Sequence, residues 1–136
     1  MEEQLTAIAH NYQRVLEKIA AACRAAGRSE ASVRLVVVTK GHPLAAVETV
    51  VSAGARCLGE NYIEEASEKI ARLSVPGVEW RMIGHVQSRK ANRVAELFAA
   101  CDSLDSLKLA GRLDRYAGQV GRKLPVLLEC NVSGEA

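Results

Sequence analysis

The spacing of apolar and polar residues divides the chain into helix-like and strand-like stretches in regular succession. Over residues 3 to 26, Leu5, Ile8, Ala9, Tyr12, Val15, Leu16, Ile19 and Cys23 recur at helical intervals, with Arg14, Glu17, Lys18 and Arg24 off that stripe. Gly27 follows where a helix would stop. A long amphipathic helix is therefore expected ahead of the first strand. Leu35-Val36-Val37-Val38 is an unbroken apolar run, mostly β-branched, and predicts a strand over residues 33 to 39 buried on both faces. It leads into Thr39-Lys40 and is closed by Gly41-His42-Pro43.

The same alternation continues. Pro43 suits a first helical turn, Leu44, Val47, Val50 and Val51 form a stripe, and Gly54 ends it. Ala55 to Leu58 reads as a strand, with Asn61 placed to cap a helix carrying Ile63, Ala66, Ile70 and Leu73. Pro76-Gly77 is a turn before the alternating Glu79-Trp80-Arg81-Met82-Ile83. Ser88 can cap a helix through Val94, Leu97 and Phe98. Cys101 to Leu104, a helix opened by Ser106, and Pro125 to Cys130 complete the series. Strict βα alternation implies a parallel α/β sheet with right-handed crossovers. Either an open doubly wound sheet or part of a (β/α)8 TIM-type barrel fits, with about five strands and one leading helix. A whole barrel takes about 250 residues, so this chain of 136 holds about half of one, and its length suits a single domain over residues 1–136.

Composition narrows the function. With 49% hydrophobic and 25% charged residues the chain is globular. A net charge of +2 argues against nucleic acid or an anionic membrane as partner. Cys23, Cys57, Cys101 and Cys130 are far apart and lack metal-ligand spacing, so reduced and mostly buried thiols are expected. No apolar run approaches the length of a membrane span. Met1-Glu2-Glu3-Gln4 does not read as a secretory signal, so a cytoplasmic protein is expected.

The ends of the strands carry the candidate chemistry. They present Thr39-Lys40, Glu60-Asn61, His85 with Gln87, Ser103 with Asp105, and Asn131 with Ser133. In a parallel sheet these ends share one side, where ligands bind. Loop starts and helix caps are polar in any case, which accounts for Ser103, Asp105 and Ser133. Asn61 is divided between cap and site. Lys40 is a solvated surface charge or an amine placed for imine chemistry with a carbonyl compound. At a reference pKa of about 10.4 few lysines are neutral at pH 7, and desolvation at a dry strand end would raise that fraction. His85 could carry a proton or be merely exposed. Arg81, Arg89, Lys90 and Arg93 could hold a phosphate, but with Glu96 they read better as a solvated helix face. No Gly-x-Gly-x-x-Gly or Walker loop follows a strand.

On these residues the sequence resembles a known family. Leu35-Val-Val-Val-Thr-Lys-Gly-His-Pro43 is similar to the segment bearing the cofactor lysine in the pyridoxal phosphate homeostasis proteins, single-domain relatives of the alanine racemase N-terminal barrel. Gly59-Glu60-Asn61-Tyr62 resembles their Gly-Glu-Asn-Tyr motif. Glu79 to Lys90 resembles their Trp-x-x-Ile-Gly-x-Leu-Gln-x-Asn-Lys motif, with Val86 in place of Leu and Arg89 in place of Asn. Asp102 to Ala110 and Asn131-Val132-Ser133 follow in the same order.

The resemblance implies a barrel that binds pyridoxal 5′-phosphate through an imine at Lys40, with Asn61 and the turn from Ile83 to His85 lining the pocket. It implies a carrier or homeostasis role in vitamin B6 metabolism without turnover, the small-molecule cofactor being the expected partner. The family's phosphate-binding serine and arginine-glycine segments lie beyond the fifth strand, so the chain reads as the N-terminal part of such a barrel with the later strands missing. Open first and last strands would favour association. Two other readings stay open: a Schiff-base enzyme with His85 as proton carrier, and a half barrel that binds nothing alone.

Overall fold

The computed structural model describes residues 2–135. Its helices are α1 (Glu2–Ala25), α2 (Leu44–Ser52), α3 (Ile63–Arg72), α4 (Ala91–Leu97) and α5 (Leu107–Gln119). The strands between them are β1 (Val37–Val38), β2 (Cys57–Glu60), β3 (Glu79–Met82), β4 (Ala100–Leu104) and β5 (Val126–Leu128). All strands are parallel, and their order in the sheet is β1-β2-β3-β4-β5. That order separates the two architectures. A doubly wound sheet reverses direction at a switch point, whereas here every βα unit steps the same way, as in a barrel. The fold is a partial (β/α)8 barrel led by an additional helix.

The core lies between the strands and the helices that follow them. Val47 and Val50 from α2, Leu58 from β2, Ala66 from α3 and Val94 and Phe98 from the α4 region meet there with Trp80 and Met82 from β3. Alternation along β3 explains the division. Trp80 and Met82 point to the helix layer and are buried, while Arg81 takes the other face and bonds Asp102. Helix α5 is capped as its sequence suggests, Ser106 Oγ accepting from the Leu109 amide at 3.1 Å. Gly54, at φ +112°, ends the α2 turn in a conformation other residues rarely adopt.

Several expectations change. The run before Lys40 is not a fully buried strand: only Val37 and Val38 pair with β2, and Val38 is 47% exposed. The cause is position, since β1 has a neighbour on one side only. Strand β5 is likewise outermost, shorter than expected and exposed throughout. Asn61 does not cap α3. Tyr62 occupies the cap position and contributes no side-chain bond. Ser88 opens a single 3-10 turn ahead of α4 rather than capping the helix. The stripe on α1 is half-buried against α2, and Gln13 Nε2 donates to the Ala53 carbonyl at 3.0 Å. Cys23, Cys57 and Cys101 are buried free thiols, but Cys130 is exposed. No helix among the described residues is long and apolar enough to cross a membrane.

Candidate functional site

Lys40 lies two positions beyond the pairing of Val38 with Gly59, with Thr39 between it and the end of β1. It is exposed, so the dry surroundings expected of a buried strand end are not there. The residue before it behaves differently. Thr39 is 4% exposed and turns toward the helix layer, where its Oγ1 donates to Glu60 Oε1 at 2.6 Å. Its amide donates to the Gly59 carbonyl, extending the β1–β2 ladder up to Lys40.

Behind this turn lies a charged cluster. Lys69 of α3 is buried, and its Nζ donates to the Thr39 carbonyl at 2.7 Å and to Glu60 Oε1 and Glu65 Oε1 at 2.6 Å each. Glu65 Oε1 also accepts from the Gly41 amide at 2.7 Å. The hydrogen bond from Lys69 holds the Glu65 carboxyl below its ordinary range, with the Gly41 amide helping and burial opposing. Glu60 is wholly buried, and its Oε2 has no partner among the described residues. A buried charge is tolerated when paired and hydrogen-bonded, and Glu60 and Lys69 provide that for each other.

This cluster was not singled out by sequence reasoning, although a signal exists. Lys69 stands at helical spacing from Ala66 and Leu73, on the buried stripe of α3. A lysine on that stripe needs an acidic partner in the core.

Ile83 lies past the end of β3, and its side chain packs over Gly59. A Cβ added at Gly59 would stand 2.9 Å from Ile83 Cδ1 and 3.0 Å from Val36 Cγ1. The missing side chain at Gly59 therefore leaves room for an apolar floor of Val36 and Ile83. Gly84 meets Asn61 even more closely, since its Cβ would fall 2.7 Å from the Asn61 Cα and carbonyl oxygen. Asn61 is thus held by backbone contact between the β2 and β3 ends rather than by a cap. The Gly84 carbonyl in turn accepts from Ser103 Oγ of β4, which is a buried strand residue and not a loop start.

His85 and Asn61 line one open cleft of about 390 Å³ with Tyr62, Gln87 and Lys90. His85 Nδ1 lies 3.4 Å from Asp105 Oδ2. Lys90 bonds Glu64, and this bond pulls the Glu64 carboxyl below its usual range. The structure thus brings Asn61 and His85 together and sets Ile83 over Gly59. Lys40 and Ile83 do not line that cleft.

The basic cluster separates. Arg93 pairs with Glu96 on the surface, as expected, whereas Arg81 forks Asp102 at 2.6 and 2.8 Å and is mostly buried. The Asp102 bonds hold the Arg81 guanidinium charged more firmly, and burial pushes the nearby Cys57 thiol up while Arg81 pulls it down. No group of three His, Cys, Asp or Glu side chains suited to a metal occurs among the described residues.

A family model described as the alanine racemase N-terminal domain matches residues 4–135. The chain belongs to this family. Within it, the chain is 42% identical over 132 residues to the pyridoxal phosphate homeostasis protein of Pseudomonas aeruginosa, covering 97% of this chain and 57% of that one. It is 40% identical over 131 residues to the protein of the same name from Escherichia coli, covering 94% and 56%. Among solved structures, PipY of Synechococcus elongatus with PLP bound superposes with a TM-score of 0.76 at 38% identity, over 89% of this chain and 57% of that one. The chain therefore spans a little over half the length of these relatives. The likeness reaches from α1 to the segment after β5, so the barrel portion with Lys40 at its first strand end is the part that this chain shares with the family.

Proposed function

We propose that this chain provides the lysine-bearing part of a pyridoxal 5′-phosphate site and serves cofactor homeostasis rather than turnover. The observation that carries the reading is the place of Lys40, an exposed amine at the C-terminal end of the first strand in a sheet of barrel order. That is the end at which barrels bind ligands. The surroundings suit the cofactor's reactive half. The apolar floor of Val36 and Ile83 over Gly59 can receive a planar ring, and Asn61 and His85 offer polar contacts from the neighbouring strand ends. When bound, the cofactor supplies an aldehyde carbon that a lysine amine can hold as an imine. The solved relative with PLP bound, and relatives named for PLP homeostasis, support the same assignment.

The experiment is direct. The protein is mixed with pyridoxal phosphate, its absorption recorded, and the imine reduced with borohydride and mapped. Label concentrated on Lys40 and lost in Lys40→Ala is the expected result. Label spread over the other surface lysines overturns the assignment. The paired His85 and Asp105 favour one alternative, proton transfer on an amino acid. Racemised or deaminated amino acid appearing at a catalytic rate would replace the carrier reading with that one.

A further inference from the structure

We infer that Glu65 and Lys69 position Lys40, acting through the backbone on both sides of it. The inference rests on the proposed Lys40 site and adds the device that aims its amine.

Lys40 is flanked by two peptide groups, and the buried cluster holds both. Upstream, the Thr39 carbonyl accepts from Lys69 Nζ at 2.7 Å, and Thr39 Oγ1 is tied to Glu60 at 2.6 Å. Downstream, the Gly41 amide donates to Glu65 Oε1 at 2.7 Å. Lys69 Nζ and Glu65 Oε1 are themselves bonded at 2.6 Å, so the two grips are one unit anchored on α3. Gly41 has φ +72°, a conformation that turns the chain sharply just after Lys40. Lys40 itself is exposed and lies outside this network.

A lysine side chain has many rotamers, and freezing them opposes any reaction of its amine. An exposed lysine on a loose loop would add the freedom of its backbone to that cost. Here the backbone is already fixed by charge-assisted bonds, which are stronger than neutral ones, so only the side chain remains to be ordered. Holding a reactive group near its attacking geometry is a recognised source of rate. In the step concerned, the Lys40 nitrogen adds to the aldehyde carbon, a carbon–nitrogen double bond forms, and the aldehyde oxygen leaves as water. No redox partner is needed.

Such a cluster could instead simply staple α3 to the sheet. The two roles differ in what they move. A staple affects stability alone, whereas a positioning clamp affects Gly41 protection and the reaction of Lys40 in protein that remains folded. Glu65→Ala is the informative variant, because it removes the acceptor of Gly41 and leaves the Lys69–Glu60 pair in place. Glu65→Gln is its rescue, because the amide oxygen can still accept from Gly41.

Two measurements are made on native protein, both Glu65 variants and Lys40→Ala. The first is amide exchange at Gly41 and Thr39 by NMR without cofactor. The second is the rate at which pyridoxal phosphate forms a reducible adduct at Lys40. Loss of a charge-assisted bond should speed Gly41 exchange about tenfold in Glu65→Ala, with Thr39 unchanged and Glu65→Gln, which keeps a neutral acceptor, between Glu65→Ala and native. Adduct formation at Lys40 should slow by a similar factor of about ten in Glu65→Ala and recover in part in Glu65→Gln. Native-like Gly41 exchange or native-like adduct formation in folded Glu65→Ala overturns the inference and leaves the Lys40 assignment standing. Absence of any Lys40-specific adduct in native protein overturns both, and is told apart by the behaviour of native protein alone.

Discussion

Strands β1 and β2 are neighbours paired in register, yet they have opposite surroundings. In β2 every residue is buried, including the carboxylate of Glu60. In β1 the apolar run ending at Val38 is more hydrophobic, but its side chains are half-buried and Val38 is 47% exposed. The difference is one of company. Strand β2 lies between β1 and β3 under α2 and α3, whereas β1 has a partner on one side only. A hydrophobic run records the environment a strand is suited to, and its burial depends on which neighbours are present. The proposed site sits on this boundary: Lys40 follows the open strand, while the side chains bonded to the backbone on either side of it, Glu65 and Lys69, come from the closed part.

Substitutions should divide along the same line, and the largest effect belongs to the closed part. Phe98 is fully buried where α4 meets the sheet. Truncation leaves a cavity that rigid strands cannot fill, so Phe98→Ala should cost about 3–5 kcal/mol in urea unfolding. A cost like that of a surface site would mean that the closed part is as loosely packed as the outer strands. Gly84→Ala should come next. Its new methyl would meet Asn61 backbone at 2.7 Å, and backbone cannot swing aside as a side chain can. Overpacking of this kind costs about 1–3 kcal/mol, and the loop carrying Asn61 should move, visible as shifted Asn61 resonances. An unchanged spectrum would show that the two strand ends are not in close contact.

Acid should expose the boundary more gently. Glu65 is held below its ordinary range by Lys69 and the Gly41 amide. A carboxyl whose pKa is lower folded than unfolded stabilises the fold above its unfolded value of about 4.3, and the contribution is lost as pH falls through the lower folded value. The stability difference between native protein and Glu65→Gln should therefore be present at neutral pH and close in acid below about pH 4. A difference independent of pH would mean that the Glu65 charge contributes nothing.

Helix and strand succession was legible because periodicity and glycine or proline breaks report local physics. The barrel portion was legible too, through strict βα alternation and the ordered motifs around Lys40, Asn61 and His85. What stayed hidden depended on partners distant in sequence. The exposure of Val38 follows from a sheet edge that an apolar run cannot announce. The burial of Lys69 follows from Glu60, which is nine residues earlier in sequence and faces it across the βα unit. Charge at a buried helical position was the available signal, and helical periodicity read from apolar residues alone passes over it. Asn61 shows the reverse error. It has the chemistry of a cap, but the close approach of Gly84 uses it otherwise.

Val38→Ala gives the smallest expected effect and the sharpest test of the comparison. Sequence pattern alone would place this valine in a core, where losing two methyl groups costs more than 1 kcal/mol by the usual range for buried truncations (about 2–5 kcal/mol for larger side chains). With the side chain 47% exposed and no strand on its outer side, much of that surface already faces water. The loss should then stay within about 0.5 kcal/mol, the range of ordinary surface changes. Val47→Ala on α2 is the control, since Val47, in the helix that follows β1, is fully buried. Two equal and large losses would mean that β1 is covered in solution, and the contrast between the first two strands would then disappear. A small loss at Val38 beside a large one at Val47 would place the edge of the packed core between them, directly beneath Lys40.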